Sequence, residues 1–491
     1  MGSKLVADSV STKQVIVLGG GLAGLSAARR LLDHGCNVTL VEKRPFLGGR
    51  VYSFRDRQKG VEVDNGQHVF LGCCTYYRDF LEAIGAIDKA YLPRRLRTEV
   101  MRNGRSAVLS SSPLLGTLHL LPSLIRYPHI GFKDKLLALY GLLAVKLTDR
   151  SKSAAALDNK SGYDWLKLHH QTDHAIANLW NLFILPALND DVRNVSANMT
   201  LMVLQEALMK GPPEAAIGLS RVGLTSLNGD PAKSLLEKRG TRMILGKTVR
   251  SVRLDDGRVS GIELAGGETL KADVYLSALP FQVLAQVLPN EVAEDPFFSQ
   301  ASALSSSPIV GIHLWYDSHI MDQDFVTVLD SPVQWVFNKS LIQGAGSDTS
   351  QHICISLSGA WSYIDTPKEE LTEIFTREMS RLFPRARSAR VEKSMVVKER
   401  DATFRSSPGT SKHRPPQTTP IPNLFLAGDW TDTGWPSTME GAVRSGIDQN
   451  ELIARAKARL ELAGRLIAEA KPYGVSPLII ESATGCLALY E

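Results

Sequence analysis

The sequence predicts an α/β protein: a parallel sheet flanked by helices, assembled from separated pieces of the chain, with an α+β second domain and a helical apolar cap. Three observations carry this. The β-branched run Val15-Ile16-Val17-Leu18 leads into Gly19-Gly20-Gly21-Leu22-Ala23-Gly24 and then into the helix former Leu25 to Leu32. A second apolar run, Asn37 to Val41, ends on Glu42, 42 − 24 = 18 residues past the last glycine. Near the other end, Leu424-Phe425-Leu426-Ala427 ends on Gly428-Asp429, and a helix opens near Met439.

Strand, glycine loop, helix, strand and acid in this register form the Rossmann-type dinucleotide fingerprint G-x-G-x-x-G. Gly19 permits the tight turn, Gly21 lets backbone approach a pyrophosphate, and Gly24 lets the helix pack on the strand. Leu22 and Ala23 lie in that loop, where the helix N-terminus offers N–H groups and a positive dipole end to phosphates. Glu42, with Lys43 beside it, falls near the ~20-residue spacing of a ribose-binding acid.

A chain of 491 residues has room for two or three domains, and 44% hydrophobic with 22% charged residues is ordinary globular composition. A net charge of +5 argues against nucleic acid as the main partner and allows attraction to an anionic membrane surface. The five cysteines show no metal spacing, and adjacent Cys73 and Cys74 are awkwardly placed for a disulfide. That usage, with a polar Met1 to Gln14, predicts a cytoplasmic protein without a signal segment.

In chain order, Tyr76 to Gly85 reads as a short helix with a glycine stop, and Glu99 to Leu109 as a hairpin turning at Asn103-Gly104. Ser110 to Thr148 is the most apolar region. A spanning helix needs ~20 apolar residues, and Pro122, Arg126, Pro128, Lys133, Asp134 and Lys135 interrupt the run. It reads as a cap over the site, as a lipid-facing entrance with basic flanks, or as both. Tyr163 to Asn189 reads as a helix pair, which would align His170 with His174 four residues on. No third ligand lies near, so they are read as polar-face histidines and no metal is expected. Met199, Met202 and Met209 read as core filler on a further helix.

Pro231 to Lys238 reads as a helix, Met243 to Leu264 as short strands turning at Asp255 to Arg258, and Ala272 to Pro280 as a buried strand. Strands follow at Ile309 to Tyr316, Gln334 to Asn338 and Ile353 to Ser358, then a helix at Lys368 to Phe383. Ser406 to Pro422 reads as a Pro/Ser/Thr-rich connecting loop. The expected organisation is a dinucleotide domain from 1–105, 218–280 and 415–460, a substrate and membrane-facing domain from 106–217 and 281–414, and a tail from 461–491.

Glu42 is followed by Gly48-Gly49-Arg50 and Asp64-Asn65-Gly66-Gln67-His68. Gly-Gly-Arg and Asp-x-Gly-x-His in this order resemble the amine-oxidase and carotene-desaturase superfamily of FAD enzymes, with the fold of amine oxidases and phytoene desaturases. The resemblance implies non-covalent FAD. It places Gly49 and Arg50 along the nucleotide, Gly66, Gln67 and His68 at the isoalloxazine ring, and the backbone of Val249 at the adenine. Gly428 allows close approach, Asp429 accepts from ribityl or phosphate-linked groups, and the helix start at Thr438, Met439 and Ala442 aims N–H groups at the flavin.

Leu185-Pro186-Ala187-Leu188-Asn189, Gln334-Trp335-Val336-Phe337-Asn338, Glu399-Arg400-Asp401-Ala402-Thr403-Phe404 and Leu426 to Ala442 narrow this. Together they resemble the hydroxysqualene dehydroxylase family, from about Val15 to Ala454. That family reductively removes a hydroxyl from a long isoprenoid to give squalene, in hopanoid pathways. Hydroxide leaves poorly, so a proton donor is required. His68 is the first candidate, with Asp432 and Glu440 behind it. Alternatives in the same superfamily are an oxidative carotenoid or phytoene desaturase and a flavin amine oxidase. The amine oxidase's active-site lysine and flavin-linking cysteine have no counterpart placed here. A second glycine fingerprint is absent from the sequence, so reduced nicotinamide, if it is the reductant, docks transiently. Oligomeric state is left open.

Overall fold

The computed structural model describes residues 13–55, 62–113, 116–344 and 350–447. The end of the 415–460 piece, the tail at 461–491 and Leu114-Leu115 lie outside them. Five parallel strands form the first sheet, in the order Arg242–Leu245, Asn37–Glu42, Gln14–Leu18, Val274–Ser277, Leu424–Leu426. Val17 and Leu18 are wholly buried, as expected of a continuous apolar run covered on both faces. The helix Leu22–Asp33 follows the glycine loop and turns Leu25, Ala27, Ala28 and Leu31 inward. At Gly24 a Cβ would meet the Gly19 carbonyl oxygen at 1.9 Å, so only glycine permits this crossing.

The helix at 439–447 returns to that first helix. It presses Gly446 against the first, where a Cβ would lie 2.5 Å from the Ala23 oxygen. Ser26 Oγ donates to the Val443 carbonyl across the same contact.

The second sheet has seven strands, in the order Val391–Phe404, Ser306–Tyr316, Gln351–Ser358, Trp335–Asn338, Phe325–Val328, Arg97–Arg102, Arg105–Ser110. The hairpin turning at Asn103-Gly104 therefore lies in this sheet, paired in parallel with Phe325–Val328. Helix Lys368–Leu382 covers one face with Leu371, Phe375 and Met379, spaced four apart and fully buried. The long strand Val391–Phe404 was not read from the sequence. It lies at an edge and carries the four-residue charged run Lys398 to Asp401, and it shows no regular apolar alternation to signal a strand.

The apolar region forms helices Leu121–Arg126 and Phe132–Leu147. The second inverts the usual pattern. Small side chains, Ala138 and Gly141, face the protein with Asp134 and Val145, while Phe132, Leu136, Tyr140, Leu143 and Leu147 are exposed. Among the described residues, no helix is long and apolar enough to cross a membrane.

The histidine alignment does not form. Helix Gly162–Leu168 ends at His169, and His170 takes a left-handed φ of 59°. Thr172 then caps a new helix through the Ala175 N–H, so His170 and His174 belong to different elements.

Candidate active site

The glycine loop folds onto the Gly48-Gly49 turn. Gly48 N–H donates to Gly20 O at 2.8 Å, and a Cβ on Gly49 would reach Gly21 Cα at 2.8 Å. Two glycine segments thus lie backbone to backbone, leaving N–H groups rather than side chains at the loop surface. Glu42 is buried beside them. Its Oε2 accepts from Gly20 N–H at 2.7 Å and its Oε1 from Arg44 N–H at 2.9 Å. Each carboxylate oxygen keeps a lone pair, so the acid is fixed yet still able to take a ribose hydroxyl. Gly246 and Lys247 N–H groups bond Arg44 O and Glu42 O. That carries the chain to Val249 at the start of its strand, close to the acid. Lys43 is exposed beside Glu42.

Gly428 has φ 144°, and a Cβ there would strike the Trp430 indole at 2.5 Å. The Asp429 carboxylate is already engaged, by Arg50 on Oδ1 and by Ser437 Oγ on Oδ2. Arg50 therefore ties the Gly-Gly-Arg turn to the C-terminal loop, and its other nitrogen donates to Ala402 O at 2.9 Å. Thr438 caps the following helix, its Oγ1 accepting from Gly441 N–H at 3.1 Å. Met439 opens that helix, and Ala442 N–H returns to Thr438 O.

Asp64 to His68 is held by a buried cluster. Lys339 Nζ donates to Asp64 Oδ2 at 2.8 Å and to Gln67 Oε1 at 3.0 Å, with both charged side chains at most 2% exposed. Asp64 Oδ1 accepts from Ser53 Oγ and from Leu224 N–H. Burial alone would raise the Asp64 carboxyl. The Lys339 charge and these hydrogen bonds outweigh it, so the group sits below the usual range.

The segment fits a flat bound ring. A Cβ on Gly66 would meet nothing within 4 Å, and Asn65 Oδ1 is buried with no partner among the described residues. The space and the spare acceptor suit the FAD that the sequence implies.

His68 Nδ1 lies 3.1 Å from Gly66 O. A carbonyl only accepts, so Nδ1 carries the proton and Nε2 is the acceptor. Burial lowers the His68 pKa, against the opposing Gly66 hydrogen bond and the Asp64 charge. At neutral pH the ring is therefore uncharged. The other two acids lie elsewhere. Glu440 is fully buried and accepts from Tyr76 N–H, Tyr77 N–H and Arg444, which caps helix Thr75–Ala83. Asp432 is exposed and accepts from Gly434 N–H in its own turn.

Lys339 and Arg414 carry the site and were not singled out from the sequence. Each is a lone basic residue with no local pattern around it. Among the described residues, no group of three His, Cys, Asp or Glu side chains could hold a metal.

Residues 22–454 match the family model described as flavin containing amine oxidoreductase. A zeta-carotene desaturase of Zea mays is 29% identical over 88% of this chain and 82% of its own. A hydroxysqualene dehydroxylase of Zymomonas mobilis is 27% identical over 88% of this chain and 96% of its own. A crystal structure of an oxidoreductase from Methanosarcina mazei superposes with a TM-score of 0.69 at 17% identity, covering 89% of this chain and all of that one.

Proposed function

The chain belongs to the flavin containing amine oxidoreductase family, and from that premise we propose that it is an FAD-dependent enzyme converting hydroxysqualene to squalene by reductive loss of the hydroxyl, in isoprenoid and hopanoid synthesis. One observation carries the reading. Segments that resemble hydroxysqualene dehydroxylases but lie far apart in sequence converge beside the Asp64–His68 segment. Asn65 Nδ2 donates to Glu399 Oε1 at 3.2 Å, Arg50 reaches Ala402 O, and Asn189 Nδ2 donates to Thr403 Oγ1 at 2.9 Å. The near full-length likeness to the Zymomonas mobilis dehydroxylase supports it.

The residues divide the work. Gly19 to Gly24 hold the pyrophosphate of FAD, Glu42 its ribose, and Val249 its adenine. Asp429 and the Thr438–Ala442 helix start hold the flavin end. Reduced flavin, when bound, supplies a hydride, and reduced nicotinamide docking transiently is the proposed reductant. His68 Nε2, an acceptor, takes a hydrogen bond from the substrate hydroxyl and orients it.

The direct test is anaerobic. Protein with reduced FAD and hydroxysqualene is expected to form one squalene per flavin oxidised, with deuterium from a labelled reductant in deuterated buffer entering the product. The zeta-carotene desaturase relative favours a second reading, oxidative desaturation. Dehydrogenated polyenes from a carotene, with no squalene formed, would replace the first reading by the second.

An isoprenoid substrate arrives from a lipid phase, and the outward face of helix Phe132–Leu147 suits a peripheral membrane contact. Phe132 is 78% exposed and Leu147 73%, with Leu118, Ile125 and Leu168 exposed as well. Exposed Arg126, Lys133 and Lys146 flank the apolar stripe. Flotation with anionic vesicles is expected at low salt, and Leu118→Ser with Leu136→Ser and Leu143→Ser is expected to abolish it without loss of fold. Equal flotation of the triple variant would remove this surface from the proposal.

A further inference from the structure

The segment Glu399 to Phe404 is explained only in part by packing. Ala402, Thr403 and Phe404 brace their surroundings through Arg50, Asn189 and the Arg414 guanidinium, which lies 4.7 Å over the Phe404 ring. Glu399 instead turns toward the Asp64–His68 segment. It pairs across the sheet with Ile309, and Val397, two residues back and on the same face, pairs with Gly311. A Cβ on Gly311 would point 3.7 Å from Gly66 Cα, so this face of the sheet looks at the flavin-facing segment.

The Glu399 carboxylate accepts from the Asn65 amide at 3.2 Å and from the Tyr52 hydroxyl. Tyr52 is itself packed against Phe46 at 5.4 Å and under the Arg44 guanidinium at 4.6 Å. The basic neighbours of Glu399 on its own strand are committed elsewhere, Lys398 to Thr366 O and Arg400 to Asp365. Glu399 and Tyr52 thus meet at Asn65, three residues before His68 in the same segment.

We propose that Glu399 is the catalytic acid that protonates the departing hydroxyl, with Tyr52 and Asn65 holding its carboxyl group and His68 orienting the substrate. This rests on the dehydroxylation reading above and assigns its missing proton. The step balances. The carbon–oxygen bond breaks, the oxygen takes the Glu399 proton and leaves as water, and the carbon takes a hydride from reduced flavin. Glu399 is left as a carboxylate and the flavin oxidised. The Tyr52 and Asn65 hydrogen bonds then hold the new carboxylate in place. Water reprotonates Glu399 once the product has left.

His68 is less suited to the same task. Its proton is bonded to Gly66 O and its free nitrogen is unprotonated at neutral pH. Glu399 is a different kind of group: its carboxyl, held by Asn65 and Tyr52, can in the acid form deliver a proton.

Two measurements test this. In single turnovers under anaerobic conditions, Glu399→Gln is expected to keep its FAD and lose on the order of 10²–10⁴-fold in rate, the usual range for a lost general acid. His68→Gln is expected to raise the substrate requirement while keeping the single-turnover rate at saturating substrate. Independently of turnover, ring-labelled tyrosine NMR, with Tyr52 assigned by Tyr52→Phe, is expected to show the Tyr52 ionisation moving down in Glu399→Gln. Removal of the neighbouring negative charge predicts that direction.

A Glu399→Gln protein with wild-type rate, or an unmoved Tyr52, overturns the assignment while squalene formation stands. The large loss of single-turnover rate appearing in His68→Gln and not in Glu399→Gln would also overturn it, in favour of His68. If wild-type protein forms no squalene, the function fails first, and the Tyr52 titration still reports whether the contact exists.

Discussion

Lys339→Met is expected to cost about 3–5 kcal/mol of stability at neutral pH, the range for a buried ion pair that loses one partner. The substitution nearly conserves volume, so the loss comes from charge rather than packing. Asp64 would remain at 1% exposure with Ser53 Oγ and Leu224 N–H as its donors among the described residues, and Gln67 would lose its ammonium partner. The flavin-facing segment would loosen, and FAD retention would fall with it. The pH dependence gives the sign. In the wild type the folded Asp64 pKa is depressed. Its contribution is full above the unfolded carboxylate value of ~3.9 and is lost as pH falls through the lower folded value. Without Lys339, burial dominates and raises the folded pKa above the unfolded one. The variant then gains relative to wild type as pH falls, because protonation relieves a buried charge. Denaturant unfolding at neutral and mildly acidic pH is expected to show the gap narrowing on acidification. A constant gap, or one below 1 kcal/mol, would mean that Lys339 acts only as filler.

Legibility in the sequence followed the physics of each feature. The first strand, glycine loop and helix are fixed by local rules, and Gly24 shows why: a backbone oxygen stands 1.9 Å from where any Cβ would go. Glu42 follows from spacing along one βαβ unit. The C-terminal strand and helix could be read, but their docking on Leu22–Asp33 through Gly446 is a contact of high sequence separation that no local pattern encodes. The long strand Val391–Phe404 was invisible because an edge strand needs little apolar content. His170 misled because spacing of four suggests a helix face only where the helix continues, and here it stops. The resemblance covered Gln334 to Asn338 and stopped one residue short of Lys339. Asn338 caps helix Lys339–Gln343 through the Leu341 N–H, and that cap sets the lysine on a turn facing Asp64. A single lysine gives no sequence signal. Its role depends on a carboxylate that lies 339 − 64 = 275 residues away.

Arg414 is the second such residue, and its loss is expected to strip the protein of flavin more selectively than loss of Lys339. The sequence reads Ser406 to Pro422 as a connecting loop, yet Arg414 within it is 5% exposed. Its Nη2 donates to the carbonyls of Asp429 and Thr431 and to Thr433 Oγ1, and its Nε to the Trp430 carbonyl. One guanidinium thus gathers three successive carbonyls of the turn that carries Asp429. Burial lowers its pKa to about 10, with Asp432 and Asp429 opposing, so it stays charged under working conditions. Arg414→Met would leave those carbonyls without their donor in a buried turn, at roughly 1–3 kcal/mol for each group left unsatisfied. Arg414→Lys keeps the charge but has no planar fork and cannot span the same set of oxygens. Both variants are expected to fold, since the strand Leu424–Leu426 keeps its pairing with Val274–Ser277. FAD affinity is expected to drop at least tenfold in Arg414→Lys and further in Arg414→Met, while Asp429 loses its fixed position between Arg50 and Ser437. Flavin released on dilution, followed by its fluorescence, measures this directly against thermal unfolding of the apoprotein. If Arg414→Met held FAD as tightly as the wild type, the turn would be rigid without it and the assignment of Arg414 as its organiser would fall.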